Sequence, residues 1–375
     1  MPGAALGAAM LAALALSACA VPQRLESLAI DHNQVVANTA DSLTLLNILR
    51  ARDSRPLHFT SISRLNGNVS MSATGNVGGF AVMSGGNTAT ISPGVSGTLA
   101  SNPGFDITIY DGQEFQQGIL TPIDAKTIKF YLGTGWRPDL LTYLLVERID
   151  FVLVDPTGKG EPVSIGGRRF RPGEAVATLN NDPVQEKSAR QFAGFVSCFT
   201  LAAPRGGDAD AIALARTEKS ECNGQTVSIQ GGGTIVAKLL TDGPTINLAD
   251  PAGVAVQIDG RSGTIRANPV ITFRSVDGVL YFLGEYARAS RQPIGTPIYV
   301  IPGRADRNER DEALLTIVEG RGSRHDLSAE IDGIAWHIPA NSRRSHQIIA
   351  LIEQLFNLNK KGSAPPLTTA VRVIN

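Results

Sequence analysis

Two-residue alternation sets the character of the N-terminal third of the chain. Val69, Met71, Ala73, Val77, Ala81 and Met83 fall on one face of an extended segment, and Ser70, Ser72, Thr74, Asn76 and Ser84 on the other. A period of two predicts a strand. Ser84-Gly85-Gly86-Asn87 is a turn signal. Alternation then resumes, with Ala89, Ile91, Val95 and Leu99 set against Thr88, Thr90, Ser92, Ser96 and Thr98. Phe80 and Val82 break the first strand's pattern, and Pro93 interrupts the second. No charged side chain occurs between Arg64 and Asp106. The pattern predicts a Gly/Ser-rich β-hairpin over 67–100, inside an uncharged segment 64–105.

A three-to-four period governs other stretches. Leu43, Leu46 and Leu49 predict a helix within 25–52, which Pro56 stops. Leu57 to Ser63 alternates like a strand, and so does Phe105 to Tyr110. Leu140, Leu141, Leu144 and Leu145 predict a helix over 136–150, with Pro138 in its first turn. Phe151 to Val154 then reads as a short apolar strand, and Gly158 to Gly173 as a loop or hairpin.

The last third carries an approximate internal repeat. Val256-Gln257-Ile258-Asp259-Gly260 is echoed by Ala329-Glu330-Ile331-Asp332-Gly333. Each copy continues into a strand, an Arg-Ser pair (Arg274-Ser275 and Arg344-Ser345) and a helix. Ser275 and Ser345 are the predicted N-caps. The unit is strand, Asp-Gly turn, strand, helix, and two such ββα units predict a small sheet with helices on one face. Leu367 to Ile374 reads as a last strand. The predicted fold class is α+β: small mixed sheets with packed helices, a Gly/Ser-rich hairpin and two C-terminal ββα units. The predicted divisions are 1–18, 19–63, 64–105, 106–245 and 246–375.

Ala4 to Ala18 is an apolar run of signal-peptide length, too short for a membrane-spanning helix. It ends in Leu16-Ser17-Ala18-Cys19, which resembles the lipobox of bacterial lipoproteins. That resemblance implies cleavage before Cys19, a diacylglycerol on its sulfur and a fatty-acylated new N-terminus. Met1 to Met10 lacks the usual basic residues, which suggests a start further upstream. Ala20, in place of Asp, leans toward the outer membrane, on the periplasmic side.

Lys plus Arg and Asp plus Glu both number 34, so no charge excess points to nucleic acid. Low charge with 39 glycines suits a β-rich envelope protein. After Cys19 only Cys198 and Cys222 follow. In an oxidising compartment such a pair reads as a disulfide, closing a loop of about 25 residues and contributing roughly 3 kcal/mol. Metal ligation and a nucleophilic cysteine are the alternatives, without a supporting His or base nearby.

The chemical motifs are sparse. His32, His58, His325, His337 and His346 match no metal spacing. Ser323, His325 and Asp326 are close in sequence, which is no sign of a working triad. Gly231 to Gly233 lacks the Gly-Lys pair of a phosphate loop. No catalytic residue, cofactor or metal site is assigned. Three arginine groups, Arg168/Arg169/Arg171, Arg304/Arg307/Arg310 and Arg343/Arg344, read as solvated faces or as contacts for lipid phosphates. Trp136, Tyr281, Phe282 and Trp336 read as packing residues. Gly284 reads as a point of close backbone approach.

With these pieces placed, the chain resembles a family of uncharacterised proteobacterial outer-membrane lipoproteins. The matching residues are Leu45 to Asp53, Pro56 to Thr60, Gln113-Glu114-Phe115, Gly118 to Ile123, Arg274-Ser275 and Tyr281 to Glu285. The resemblance implies an envelope location and supplies no catalytic residue. The uncharged hairpin leaves three readings open: a membrane-entering hairpin, a hairpin of a soluble sheet, and a linker. One hairpin does not close a barrel, so the first requires several copies to donate one each, as in lipoprotein secretion pores. The functional expectation is a lipid-anchored, homo-oligomeric pore or secretion component. The alternative is a periplasm-facing scaffold or binding lipoprotein. Partners would be the membrane and a second copy or an envelope complex.

Overall fold

The computed structural model describes residues 30–75, 95–155, 158–165, 168–203, 212–217, 225–228, 234–240, 245–247, 253–258, 261–290, 299–303 and 309–359. The fold is α+β, with helices packed among several small antiparallel sheets. It divides into two compact units. The described residues of the first are 30–40, 59–75 and 95–110; those of the second are 41–58 and lie within 111–363. The boundary expected near residue 245 falls inside the second unit.

Helix α1 covers 30–52 among the described residues. In the first unit, β1 (Thr60–Gly75) and β2 (Val95–Ile109) form a two-stranded antiparallel ribbon.

In the second unit α2 (Gln113–Leu120), α3 (Ala125–Gly133) and α4 (Pro138–Leu145) come first. Asp124 caps α3 by accepting from the Thr127 amide at 2.6 Å. Pro138 stands at the start of α4, where its missing N–H costs nothing. The helix expected over 136–150 stops at Leu145. Val146 opens β3 (Val146–Leu153), so five residues read as helix are strand. The cause is tertiary: Arg274 and Asn181 take up the carbonyls at the helix end, and Arg148 to Leu153 find ladder partners in Ala267 to Thr272.

The strands that follow are β4 (Val163–Ile165), β5 (Arg168–Phe170) and β6 (Ala175–Asn180). Helix α5 (Glu186–Cys198) leads into β7 (Phe199–Ala202), β8 (Ala213–Arg216), β9 (Gln225–Ser228), β10 (Thr234–Leu240) and β11 (Thr245–Asn247). The expected hairpin within 158–173 is the β4–β5 pair.

The two ββα units are present. The first is β12 (Gly253–Ile258), β13 (Arg261–Phe273) and α6 (Val276–Ser290). After β14 (Val300–Ile301), β15 (Glu312–Ala313) and β16 (Val318–Glu319) comes the second: β17 (Leu327–Ile331), β18 (Ile334–Ile338) and α7 (Arg343–Asn359). Their hairpins do not share one sheet. The first lies in a six-stranded sheet, β6-β3-β13-β12-β10-β9, and the second in a three-stranded sheet, β16-β18-β17. Asp332 and Gly333 turn between β17 and β18 with φ of 53° and 75°, the left-handed pair that a tight hairpin twist requires.

Strand β13 contains Pro269, which donates no ladder hydrogen bond. It is tolerated because β12 pairs only with Arg261 to Arg266, whereas Pro269 faces β3 alone, opposite Phe151. The core of this unit gathers the buried Leu140, Leu141, Leu144 and Leu145 of α4, Phe192 and Phe195 of α5, and Val279, Leu280 and Leu283 of α6. Trp336 and Phe282 are buried as expected, while Tyr281 is exposed.

Ser275 caps α6, accepting from the Gly278 amide at 3.0 Å. Ser345 does not cap α7. The helix starts at Arg343, and Ser345 is fully buried in its first turn, where its Oγ accepts from the Thr316 amide at 2.9 Å. Gly284 is where α1 crosses α6. A Cβ there would sit 2.5 Å from the Arg52 amide nitrogen, a separation that only glycine permits.

Candidate functional sites: an uncharged ribbon and a basic cavity

The ribbon's register follows the sequence pattern. Met71 stands opposite Leu99, Ser72 opposite Thr98, and Thr74 opposite Ser96. Directly opposed residues share a face of the ladder, so Val69, Met71 and Ala73 of β1 belong with Val95 and Leu99 of β2. A slip by one residue would have crossed apolar with polar positions. The Ser84–Asn87 turn signal lies outside the described residues.

At the other end of the charge-free stretch, Arg64 stands opposite Asp106. The first charge on each strand therefore occurs at the same level of the ladder. A bulge between Ile62 and Arg64 shifts the register just outside this level, a common way to end regular pairing. The root of the ribbon is tied by Tyr110 N–H donating to Phe59 O at 2.9 Å and by a Ser61–Tyr110 hydroxyl contact at 2.9 Å.

Of the residues assigned to the hairpin, Val77, Ala81, Met83, Ala89 and Ile91 lie outside the described residues, as do Cys19 and the signal segment. Cys198 is buried and disulfide-bonded; Cys222 lies outside the described residues. So do Arg304 and Arg307, and residues 360–375 with the expected last strand.

The second unit holds a buried polar centre at the C-terminal end of α4. Arg274, 6% exposed, donates through Nη1 to the carbonyls of Tyr143 (3.3 Å), Leu144 (3.2 Å) and Val146, and through Nη2 to Asn181 O at 2.6 Å. The Asn181 amide donates to the Tyr143 and Val146 carbonyls, both at 2.7 Å, and its oxygen accepts from the Tyr299 hydroxyl at 2.8 Å. Phe282 stacks under the guanidinium at 4.0 Å. These groups satisfy the carbonyls that a helix end leaves open. Desolvation lowers the Arg274 pKa to about 10, so the guanidinium keeps its charge at neutral pH. The donors close on backbone carbonyls at the end of α4 and so terminate that helix.

A different cluster lies around the start of α7. Glu309, 9% exposed, accepts from Arg343 Nη1 at 3.0 Å and from Arg344 Nη2, and Arg137 Nη1 lies 3.5 Å from it. Trp136 and Leu140 form an apolar wall of the adjoining cavity, which has a volume of about 470 Å³. Arg343 and Arg344, read from sequence as a solvated face or a lipid-phosphate contact, thus converge on one carboxylate.

Ser323, His325 and Asp326 do not form a triad. Asp326 accepts from the Ser323 and Ala340 amides at 2.6 and 2.8 Å. Those amide hydrogen bonds hold its carboxyl below the usual range. The histidine near it is His337, at 3.9 Å, whose other ring nitrogen meets Gly320 O at 3.0 Å. Among the described residues no three His, Cys, Asp or Glu side chains gather to hold a metal, and no helix is long and apolar enough to cross a membrane.

Comparison with protein-family models, curated proteins and solved structures returns no match. Sequence reasoning missed the Glu309 cluster, because Arg137, Glu309 and Arg344 are distant in the chain. The one available signal was the Arg343-Arg344 pair at a helix start, where cations are disfavoured by the helix dipole.

Proposed function

We propose that this protein is a lipid-anchored component of the outer membrane whose β1–β2 ribbon enters the bilayer, with several copies joining ribbons into a pore or secretion conduit. The observation that carries this reading is the uncharged ladder above the Arg64–Asp106 level. Leu65 to Gly75 is about 11 residues, on the order of 35 Å at the usual strand rise. A barrel strand needs about 9–11 residues to cross. The register supports it too, since Met71 stands opposite Leu99, and Val69, Ala73 and Val95 fall on that same face.

A lone ribbon has two open edges, and backbone groups in hydrocarbon require internal partners. β1 of one copy against β2 of the next meets that requirement, and ring closure removes the edges altogether. The lipobox resemblance supports the anchor: lipid on Cys19 would hold each copy at the membrane, where ribbons meet at high effective concentration.

The test is conductance of the purified, lipidated oligomer in planar bilayers, compared with a chain lacking residues 67–102. Discrete channels from the full chain and none from the deletion are expected. A confirmed oligomer that conducts nothing would sink the pore reading and leave a scaffold or binding lipoprotein. Radiolabelled palmitate should enter the native chain and not Cys19→Ser.

A further inference from the structure

Beside Glu309, two buried guanidinium nitrogens lack a hydrogen-bond partner. Arg137 directs Nε and Nη2 to Asp139, and its Nη1 is buried without a hydrogen-bond partner. Arg344 directs Nη1 to Gln347 Oε1 at 2.8 Å and Nη2 to Glu309, and its Nε is likewise buried without a partner. Arg344 is 1% exposed. Unmet guanidinium N–H groups away from water are costly and are uncommon outside working sites. Both arginines line the open cavity.

We propose that this cavity binds a small amphipathic oxyanion, its charged end taken by Arg137 and Arg344 and its apolar part held against Trp136 and Leu140. A guanidinium fork matches the two oxygens of a carboxylate or phosphate group. Glu309 is shared by three guanidiniums, Asp139 also serves Arg137 and Glu312 accepts from the Arg344 amide; Arg137 Nη1 and Arg344 Nε are left without an acceptor, which an arriving oxyanion would supply. The cavity lies at the start of α7, where Glu312 already accepts from the Arg344 amide at 3.0 Å, so a ligand would meet the guanidiniums rather than the helix end. Arg343, 56% exposed and paired with Glu309 at 3.0 Å, also lines the cavity. About 470 Å³ lies within the usual range for small-molecule pockets. The site is independent of the ribbon.

The test titrates the full chain with benzoate, phenyl phosphate, inorganic phosphate and neutral benzamide, followed by calorimetry and by Trp136 fluorescence. Saturable binding of an aromatic anion is expected, with benzamide silent. Preference for benzoate assigns a carboxylate ligand; preference for phenyl phosphate assigns a phosphate ester. Arg137→Gln and Arg344→Gln should each weaken binding tenfold or more. Ala350→Phe, which narrows the cavity and leaves the arginines intact, should do the same. No saturable binding of any anion overturns the proposal. So does equal binding of benzamide, or an anion affinity unchanged in the arginine and Ala350→Phe variants that fold.

Discussion

Arg274 and Asn181 meet at the end of α4, with Arg274 Nη2 donating to the Asn181 carbonyl at 2.6 Å. Both side chains also reach the carbonyls of Tyr143 and Val146. One strand-to-helix junction and one strand end, far apart in the chain, thus jointly terminate a helix.

Replacing Arg274 by Leu should therefore be costly. It strips acceptors in a buried place of their donor, and each unmet group costs about 1–3 kcal/mol. A loss of roughly 3–5 kcal/mol is expected, read as a lower urea midpoint at unchanged slope. Arg274→Lys should retain part of the stability, since one ammonium reaches fewer carbonyls. A Leu variant as stable as the native chain would remove the centre's structural role.

Gly284→Ala opposes two effects. Alanine gains about 1 kcal/mol of helix propensity. Its Cβ would meet Arg52 N at 2.5 Å, Ala51 C at 2.6 Å and Ala51 Cβ at 2.7 Å. Backbone atoms do not yield as side-chain tips do, and overpacking costs about 1–3 kcal/mol. The melting temperature should fall; a rise would mean that α1 and α6 separate freely.

Burial pushes the hydroxyls of Tyr131 and Tyr286 up to about 12, and raises Tyr143 and Tyr299 further. The folded state then holds these protons more tightly than the unfolded chain, where the value is about 10. Their contribution is fully present below pH 10 and is lost as pH rises through 12. Tyrosinate absorbance should thus appear late and coincide with unfolding. Free titration near pH 10 with the fold intact would contradict it.

Lysine substitutions test the ribbon's faces. Met71→Lys places charge on the apolar face, and a lysine facing lipid at mid-bilayer costs about 2–4 kcal/mol. Ser72→Lys places it on the polar face. Met71→Lys should abolish channel activity, while Ser72→Lys should keep the channel and alter its ion selectivity. Equal effects from the two would remove the sidedness on which membrane entry depends.

Much of the fold is legible in the residues. The ribbon's register repeats the alternation around Met71 and Leu99, because pairing that matches apolar with apolar is the one that lets either face be buried. The paired ββα units follow from local signals: Asp-Gly turns, the Ser275 cap and three-to-four spacing. Gly284 was readable as a point of close approach, since a glycine inside a good helix has few other reasons to persist. Helices α2, α3 and α5 were not recognised, as each is short or polar and draws its stability from packing.

Local chemistry, then, settles the strands, turns and caps of this chain, because neighbours a few residues apart decide backbone dihedrals. Where α4 ends, which strands share a sheet and how Arg137, Glu309 and Arg344 gather are decided only in three dimensions. The sequence pattern predicts a helix running on to Asp150. It stops at Leu145 because Arg274 and Asn181 take up the exposed carbonyls and β13 offers Val146 to Leu153 a ladder. Free energy from partners 35 to 131 residues away outweighs propensities of less than 1 kcal/mol per residue, and no short window of sequence contains those partners.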